Sequence, residues 1–170
     1  MRKFHIISFI FVGIVGALLH FVYEWSGENP VIGVFSAINE STWEHLKLAF
    51  YPMVISSIIG YFVIGKDIPN FICSRTKGIF IAMSCIVVLF YVYSGILGKT
   101  IDAINIIIFY ISVFAGEFYS YISMCNKYKC NNKIAIGILL VFFACFAIFT
   151  FFTPEIGIFK DPTTNSYGTK

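Results

Sequence analysis

Five stretches of about twenty residues, built almost wholly from apolar and aromatic side chains, leave this chain few ways to fold. They run roughly from Phe4 to Tyr23, Leu46 to Gly65, Gly78 to Gly98, Ala103 to Cys125 and Ile134 to Phe152. About 20 apolar residues are what a helix needs to cross the ~30 Å hydrocarbon core of a bilayer. The composition closes off the alternative of a buried soluble core. Hydrophobic residues make up 58% of the 170 and charged residues 12%, whereas a soluble domain carries about 25% charged residues. The pattern predicts an all-α, polytopic membrane bundle of five helices: a single membrane domain over residues 1–153 and a tail over 154–170. The first stretch is longer than the ~7–15-residue core of a signal peptide and is followed by no small-residue cleavage site, so it reads as an uncleaved span.

Orientation follows the distribution of basic residues between the spans. Arg2 and Lys3 precede the first; Lys66, Arg75 and Lys77 fall between the second and third, and Lys127, Lys129 and Lys133 between the fourth and fifth. These make eight of the twelve basic residues. The reading is a cell-membrane protein with its N-terminus cytoplasmic and its C-terminus extracytoplasmic. A net charge of +3, dispersed as it is, gives no nucleic-acid surface. Cys73, Cys125 and Cys130 fall in or beside the inner loops and Cys85 and Cys145 inside spans, so no disulfide framework is expected. Tyr23, Trp25, Trp43 and Tyr51 are expected at the outer interface, and His5 at the inner one.

The polar residues concentrate at the outer side. "LLHFVYEWSGENP" ends the first span, and its His20 and Glu24, four apart, share a helix face one turn apart. Such a pair can ligate a metal, act as an acid–base couple, or simply satisfy its own hydrogen bonds. "NPVIGVFSAIN", with Pro30 placed for the first turn of a short helix, is apolar for a loop and is expected to lie in the interface or dip into the bundle. "NESTWEHLK" then opens the second span. Its Ser41-Thr42-Trp43-Glu44 has the form of a capping box, with Ser41 accepting from the Glu44 amide and Glu44 reaching back to the amide of Ser41. Glu44 and Lys47, three apart, are expected to pair on the helix surface, and Pro52 to kink the helix one turn on.

Asn39, Glu40, His45 and Lys47 are left without a structural account. With His20, Glu24 and Glu44 they form the candidate ligand-binding set, which Asp102 and Asn105 could join. His20, Glu24 and His45 are the candidate ligands of a divalent metal such as zinc. No strong spacing signature such as H-E-x-x-H supports it. Glu117 lies about fourteen residues, some 21 Å, from the outer end of its span. A carboxylate at that depth is a candidate functional residue; otherwise it is a protonated acid bonded to Ser120, Tyr119 or Tyr121. A tilt of its helix would bring it toward the outer set.

The run "HFVYEWSGENPVIGVFSAINESTWEHLKLAFYP" and the Phe159–Gly168 tail resemble a prokaryotic integral-membrane family, domain of unknown function family 6512. The resemblance spans essentially the whole chain. It directs attention to His20, Glu24, Asn39, Glu40, Glu44, His45 and Lys47 and implies no reaction. "EWSGEN" is also similar to the calcium motif of alkaline ceramidases, but those have seven spans and a zinc-binding H-x-x-x-H that this chain lacks. The leading reading is therefore a bilayer protein whose outer pocket binds an ion or small molecule. A membrane-embedded, metal-dependent hydrolase or transferase of lipid-like substrates is the alternative, with Glu40, Glu44 or Glu117 as its catalytic carboxylate. A proton-coupled carrier using Glu117 is the third reading. Five spans without an internal repeat would need a homo-oligomer to build a typical transporter.

Overall fold

The computed structural model describes residues 1–126 and 128–168; Lys127 and Lys170, two of the basic residues that enter the charge distribution, lie outside the described residues. Among the described residues the chain forms six helices: α1 (Arg2–Trp25), α2 (Pro30–Gly33), α3 (Thr42–Val63), α4 (Phe71–Leu97), α5 (Asp102–Cys125) and α6 (Asn132–Phe151). There is no strand among them, only an isolated bridge between Lys160 and Tyr167 in the tail. Five of the helices are long and apolar enough to cross a membrane. Consecutive long helices run in opposite directions. One end of the bundle therefore gathers the C-terminus of α1, the NESTWEH stretch and the tail (the motif end). The other gathers the N-terminus and the α3–α4 and α5–α6 connections (the basic end).

α3 is the central helix: 56% of its apolar window is buried, against 17% for α6. α1 packs on α3 and α5, α4 on α3 and α5, and α6 against α4. Glycines set the closest approaches. A Cβ on Gly78 of α4 would lie 2.6 Å from the Gly116 carbonyl of α5, and one on Gly116 would meet the Gly78 carbonyl in turn. These small residues let the two backbones touch, as in other membrane helix pairs. α3 continues through Pro52. The proline has no N–H for the Leu48 carbonyl, and α1 closes over that oxygen with Gly16, where a Cβ would come within 2.6 Å of it.

Polarity is arranged inside out relative to a soluble protein. Ile6, Ile7, Ile10 and Ile14 of α1 and Ile106, Ile107 and Ile111 of α5 are exposed, while Glu44, Lys47, Arg75 and Glu117 are buried. Charged groups in spans face the bundle because hydrocarbon cannot solvate them. Four expectations change here. Arg75 and Lys77 belong to α4, which begins at Phe71, and not to a loop. Trp43 and Tyr51 are core residues, not interface anchors. His5 is buried. Cys73 and Cys130 are paired, with Cα atoms 6.4 Å apart, inside the range a disulfide spans; the fold brings together two residues 57 apart in sequence.

The tail folds back over the motif end. Phe159 is buried against Trp43 and Phe149, ring centroids 4.7 and 5.6 Å away. Ile156 stays exposed.

Candidate functional site

The NESTWEH stretch is held by side chains that cap, clasp and bury it. Ser41 is the N-cap of α3 and accepts from the Glu44 amide at 3.4 Å. The reciprocal half of the expected capping box is replaced. The Ser41 amide donates to Asn39 Oδ1 at 2.9 Å, and Glu44 turns inward to accept from the Ile38 amide at 3.0 Å. Glu44 also pairs with Lys47, but in the interior and not on the helix surface: their side chains are 3% and 0% exposed. Lys47 Nζ donates in addition to the Gly33 carbonyl and to Thr150 Oγ1 of α6, both at 2.8 Å. One ammonium thus ties α3, α6 and the end of α2 together. Asn39 Nδ2 donates to the Gly168 carbonyl at 3.0 Å, and the Glu40 amide to Asp161 Oδ2 at 3.4 Å, so the tail is fastened to the loop. Asn39, Glu44 and Lys47 are accounted for as scaffold.

His20, Glu40 and His45 are what the scaffold presents. Each offers one ligand atom within 4.8 Å of the others. His20 Nε2 is 3.6 Å from Glu40 Oε1 and His45 Nε2 is 3.5 Å from Glu40 Oε2. The two imidazole centroids are 5.2 Å apart. All three residues are partly buried. The Glu40 contacts are longer than the 2.7–3.2 Å of an N–H···O hydrogen bond. They are close to the ~3.3 Å edge of a tetrahedron with zinc–ligand bonds of about 2.05 Å. His45 Nδ1 donates to the Ser41 carbonyl at 2.9 Å, which leaves the Nε2 lone pair free to point at the group, the device that orients metal-ligating histidines from behind. The facing imidazole of His20 holds the Glu40 carboxyl below its ordinary range against partial burial.

Glu24, an expected ligand, is exposed and is not one of the three; Glu40 from the loop stands in its place. Glu40 lies two residues before the start of α3 and so stays close to His45 along the chain. The i, i+4 spacing of Glu24 from His20 along α1 sets no distance to α3, and it had no bearing on which carboxylate converges. Asp102 is exposed and Asn105 accepts from Tyr93 Oη; neither joins. Glu117 belongs to the opposite half of the bundle. It is bonded to His5, fifteen residues or about 22 Å along α1 from His20. Its partners are Arg75, His5 and Ser8, in place of Ser120, Tyr119 and Tyr121.

A family model described as a family of unknown function, DUF6512, matches residues 1–169. The chain belongs to this family. Comparison with curated proteins and with solved structures gives no match. Membership of DUF6512 carries no reaction, so function has to be read from the site. Sequence reasoning missed His5 and Arg75. The signal was present: His5, Ser8, Val12 and Gly16 recur at helical spacing and form the buried stripe of α1, and a buried carboxylate at Glu117 calls for a cation inside the bundle.

Proposed function

We propose that this is a multi-pass membrane protein with a cytoplasmic N-terminus, whose motif end faces the outside and binds one divalent transition-metal ion, zinc or a similar ion. His20 Nε2, His45 Nε2 and the Glu40 carboxylate would be the ligands. The orientation rests on the basic residues of the opposite end. The observation that carries the metal reading is the convergence of three donor groups within 4.8 Å, with the two Glu40 oxygens 3.6 and 3.5 Å from the imidazole nitrogens of His20 and His45 and the tautomer of one imidazole fixed from behind. Nitrogen and carboxylate donors suit zinc, manganese and iron. Asp161 accepts from the Glu40 amide and so fastens the tail beside the site.

Elemental analysis of the purified protein in detergent tests this. About one metal per chain is expected, lost in His20→Ala, His45→Ala and Glu40→Gln. Absence of metal in the folded wild type, also after incubation with each ion, sinks the reading. Three protein ligands leave a fourth tetrahedral position, the arrangement of catalytic zinc, and this favours the hydrolase as second reading. Glu44 is unsuited as its base, being committed to Lys47 and the Ile38 amide. Turnover of a lipid ester by the metal-loaded protein, lost in Glu40→Gln, separates an enzyme from a binding protein.

A further inference from the structure

Toward the basic end, α1 and α3 leave a groove between them. Its volume is about 400 Å³, within the ~300–1,000 Å³ of small-ligand sites. The order of side chains along α1 opens it. Phe4 and Phe11 are bulky walls, and the small Ser8 between them meets the small Ser56 of α3, Oγ to Oγ at 2.9 Å. The two serines, both buried, make a floor that larger residues would fill. Gly60 lets Phe4 lie against α3, since a Cβ there would collide with the ring. The same ring packs on the Arg75 guanidinium, 5.4 Å from its centroid, so this wall is fixed.

The floor is satisfied from beneath. Arg75 Nη2 donates to Ser56 Oγ at 2.8 Å and to Ser8 Oγ at 3.2 Å, and Glu117 neutralises the guanidinium. An occupant is therefore recognised by the walls and the rim. The walls are apolar, and three of their residues, Ile7, Ile59 and Val63, are exposed on the outer surface of the bundle. The groove thus opens sideways, toward hydrocarbon. Lys3 to Phe11 on α1 and Ile64 to Ser56 on α3 each span eight residues, or ~12 Å. That is less than half of a ~30 Å hydrocarbon core, so the groove lies within one leaflet.

The rim is cationic. Lys3 lines the end of the groove, and Arg2 precedes it. Lys66 follows two residues after Ile64, with its ammonium 5.3 Å over the ring of the exposed Phe62. Asp67 is the one acidic residue in these two stretches. An apolar channel one leaflet deep, with positive charge at its interfacial end, matches a molecule with a hydrocarbon chain and a negative head. A free phosphate would leave the walls without a role, and a polar peptide would leave its backbone groups unbonded against them.

We propose that this groove is a binding site for one anionic phospholipid of the leaflet at the basic end. An acyl chain lies along α1 and α3 over the Ser8–Ser56 floor, and the phosphate sits at Lys3, with Arg2 and Lys66 beside it. Basic pockets between membrane helices bind lipid headgroups in this way. The site is at the opposite end of the bundle from the candidate metal ligands and does not depend on them.

The test uses the full-length protein in bilayers of phosphatidylcholine with a minor share of brominated lipid, which quenches indole fluorescence on contact. Ile59→Trp places an indole at the groove, and Phe118→Trp places one on the exposed side of α5 as a control. The wild-type signal of Trp25 and Trp43, both at the motif end, is subtracted. Brominated phosphatidylglycerol is expected to bind at Ile59→Trp about five-fold better than brominated phosphatidylcholine, or more. Adding Lys3→Gln should lower that ratio about five-fold, the weight of one basic residue at a charged surface. At Phe118→Trp the ratio should stay near one. Equal quenching by the two lipids at Ile59→Trp overturns the proposal, as does a ratio that Lys3→Gln leaves unchanged or that Phe118→Trp reproduces. Quenching by neither lipid would mean that a second copy of the chain covers the groove, and overturns it too. Should Ile59→Trp fail to fold, Ile7→Trp on the facing wall takes its place with the same expectations.

Discussion

Replacing Lys47 by Met tests whether a buried charge pair holds the motif end together. The side chain is fully buried, and its ammonium is bound by Glu44, the Gly33 carbonyl and Thr150. Methionine fills a similar volume with no donor, so Glu44 would keep only the Ile38 amide and the Gly33 carbonyl would lose its partner. Thr150 is least affected, since its hydroxyl also donates to the Phe146 carbonyl at 2.7 Å. Removing one partner of a buried pair costs about 3–5 kcal/mol, because the remaining charge stays desolvated. Lys47→Met should therefore lower unfolding free energy by an amount in that range. The double variant Glu44→Gln/Lys47→Met should regain about 2 kcal/mol of it, since the amide oxygen of Gln can still accept from Ile38 and no charge is left alone. Equilibrium unfolding in mixed micelles with increasing denaturing detergent gives both numbers, and a zinc titration follows the site. The loop tied by Lys47 leads directly into Glu40, so weaker metal binding should accompany the loss of stability. A cost under about 1 kcal/mol, or a double variant no more stable than the single, would show that the pair is not a buried, charge-balanced tie.

Metal retention should fall as pH drops through about 6.5, where free imidazoles take up protons. Glu40 should not limit it, because its carboxyl is held below the ordinary value of 4.5. A group lowered in this way stabilises the fold above its ordinary value and loses that contribution only as pH falls through the lower folded value. An apparent metal affinity that does not weaken as pH falls from ~7 to ~5 would therefore contradict the two-histidine ligand set, since protons compete with the ion for imidazole nitrogen over that range. Gly116→Val should separate α4 from α5, since even a Cβ there meets Ala82 at 2.9 Å as well as the Gly78 carbonyl. A loss of about 2 kcal/mol or more is expected, and wild-type stability would show that the helices are not in contact at these glycines. Cys73 and Cys130 report on orientation. On a cytoplasmic face the pair should be kept reduced, both thiols alkylated in intact, growing cells, and should close to the disulfide of the structure when an oxidant is added. A pair already closed in such cells would reverse the inside-outside assignment.

The number of membrane helices was legible in the sequence because hydropathy is additive along a chain: five apolar runs of bilayer length become five spans, whatever packs on them. Pro30 at the start of α2 and Ser41 at the start of α3 were legible for a similar reason, since caps depend on neighbours within a few residues. The prominence of NESTWEH was legible as well, but the division of labour within it was not. Glu44 and Lys47 become buried scaffold because Thr150 arrives from α6 and Gly33 from α2, and Glu40 replaces Glu24 beside His20 because the loop returns over the end of α1. The pairings of His5 with Glu117, 112 residues apart, and of Arg75 with Glu117, 42 apart, follow no period a sequence can display. Hydropathy tells a residue whether to be in the membrane. Only helix packing tells a charge in the membrane which other charge it will meet, because that depends on the rotation and crossing of helices set by glycines at their contacts.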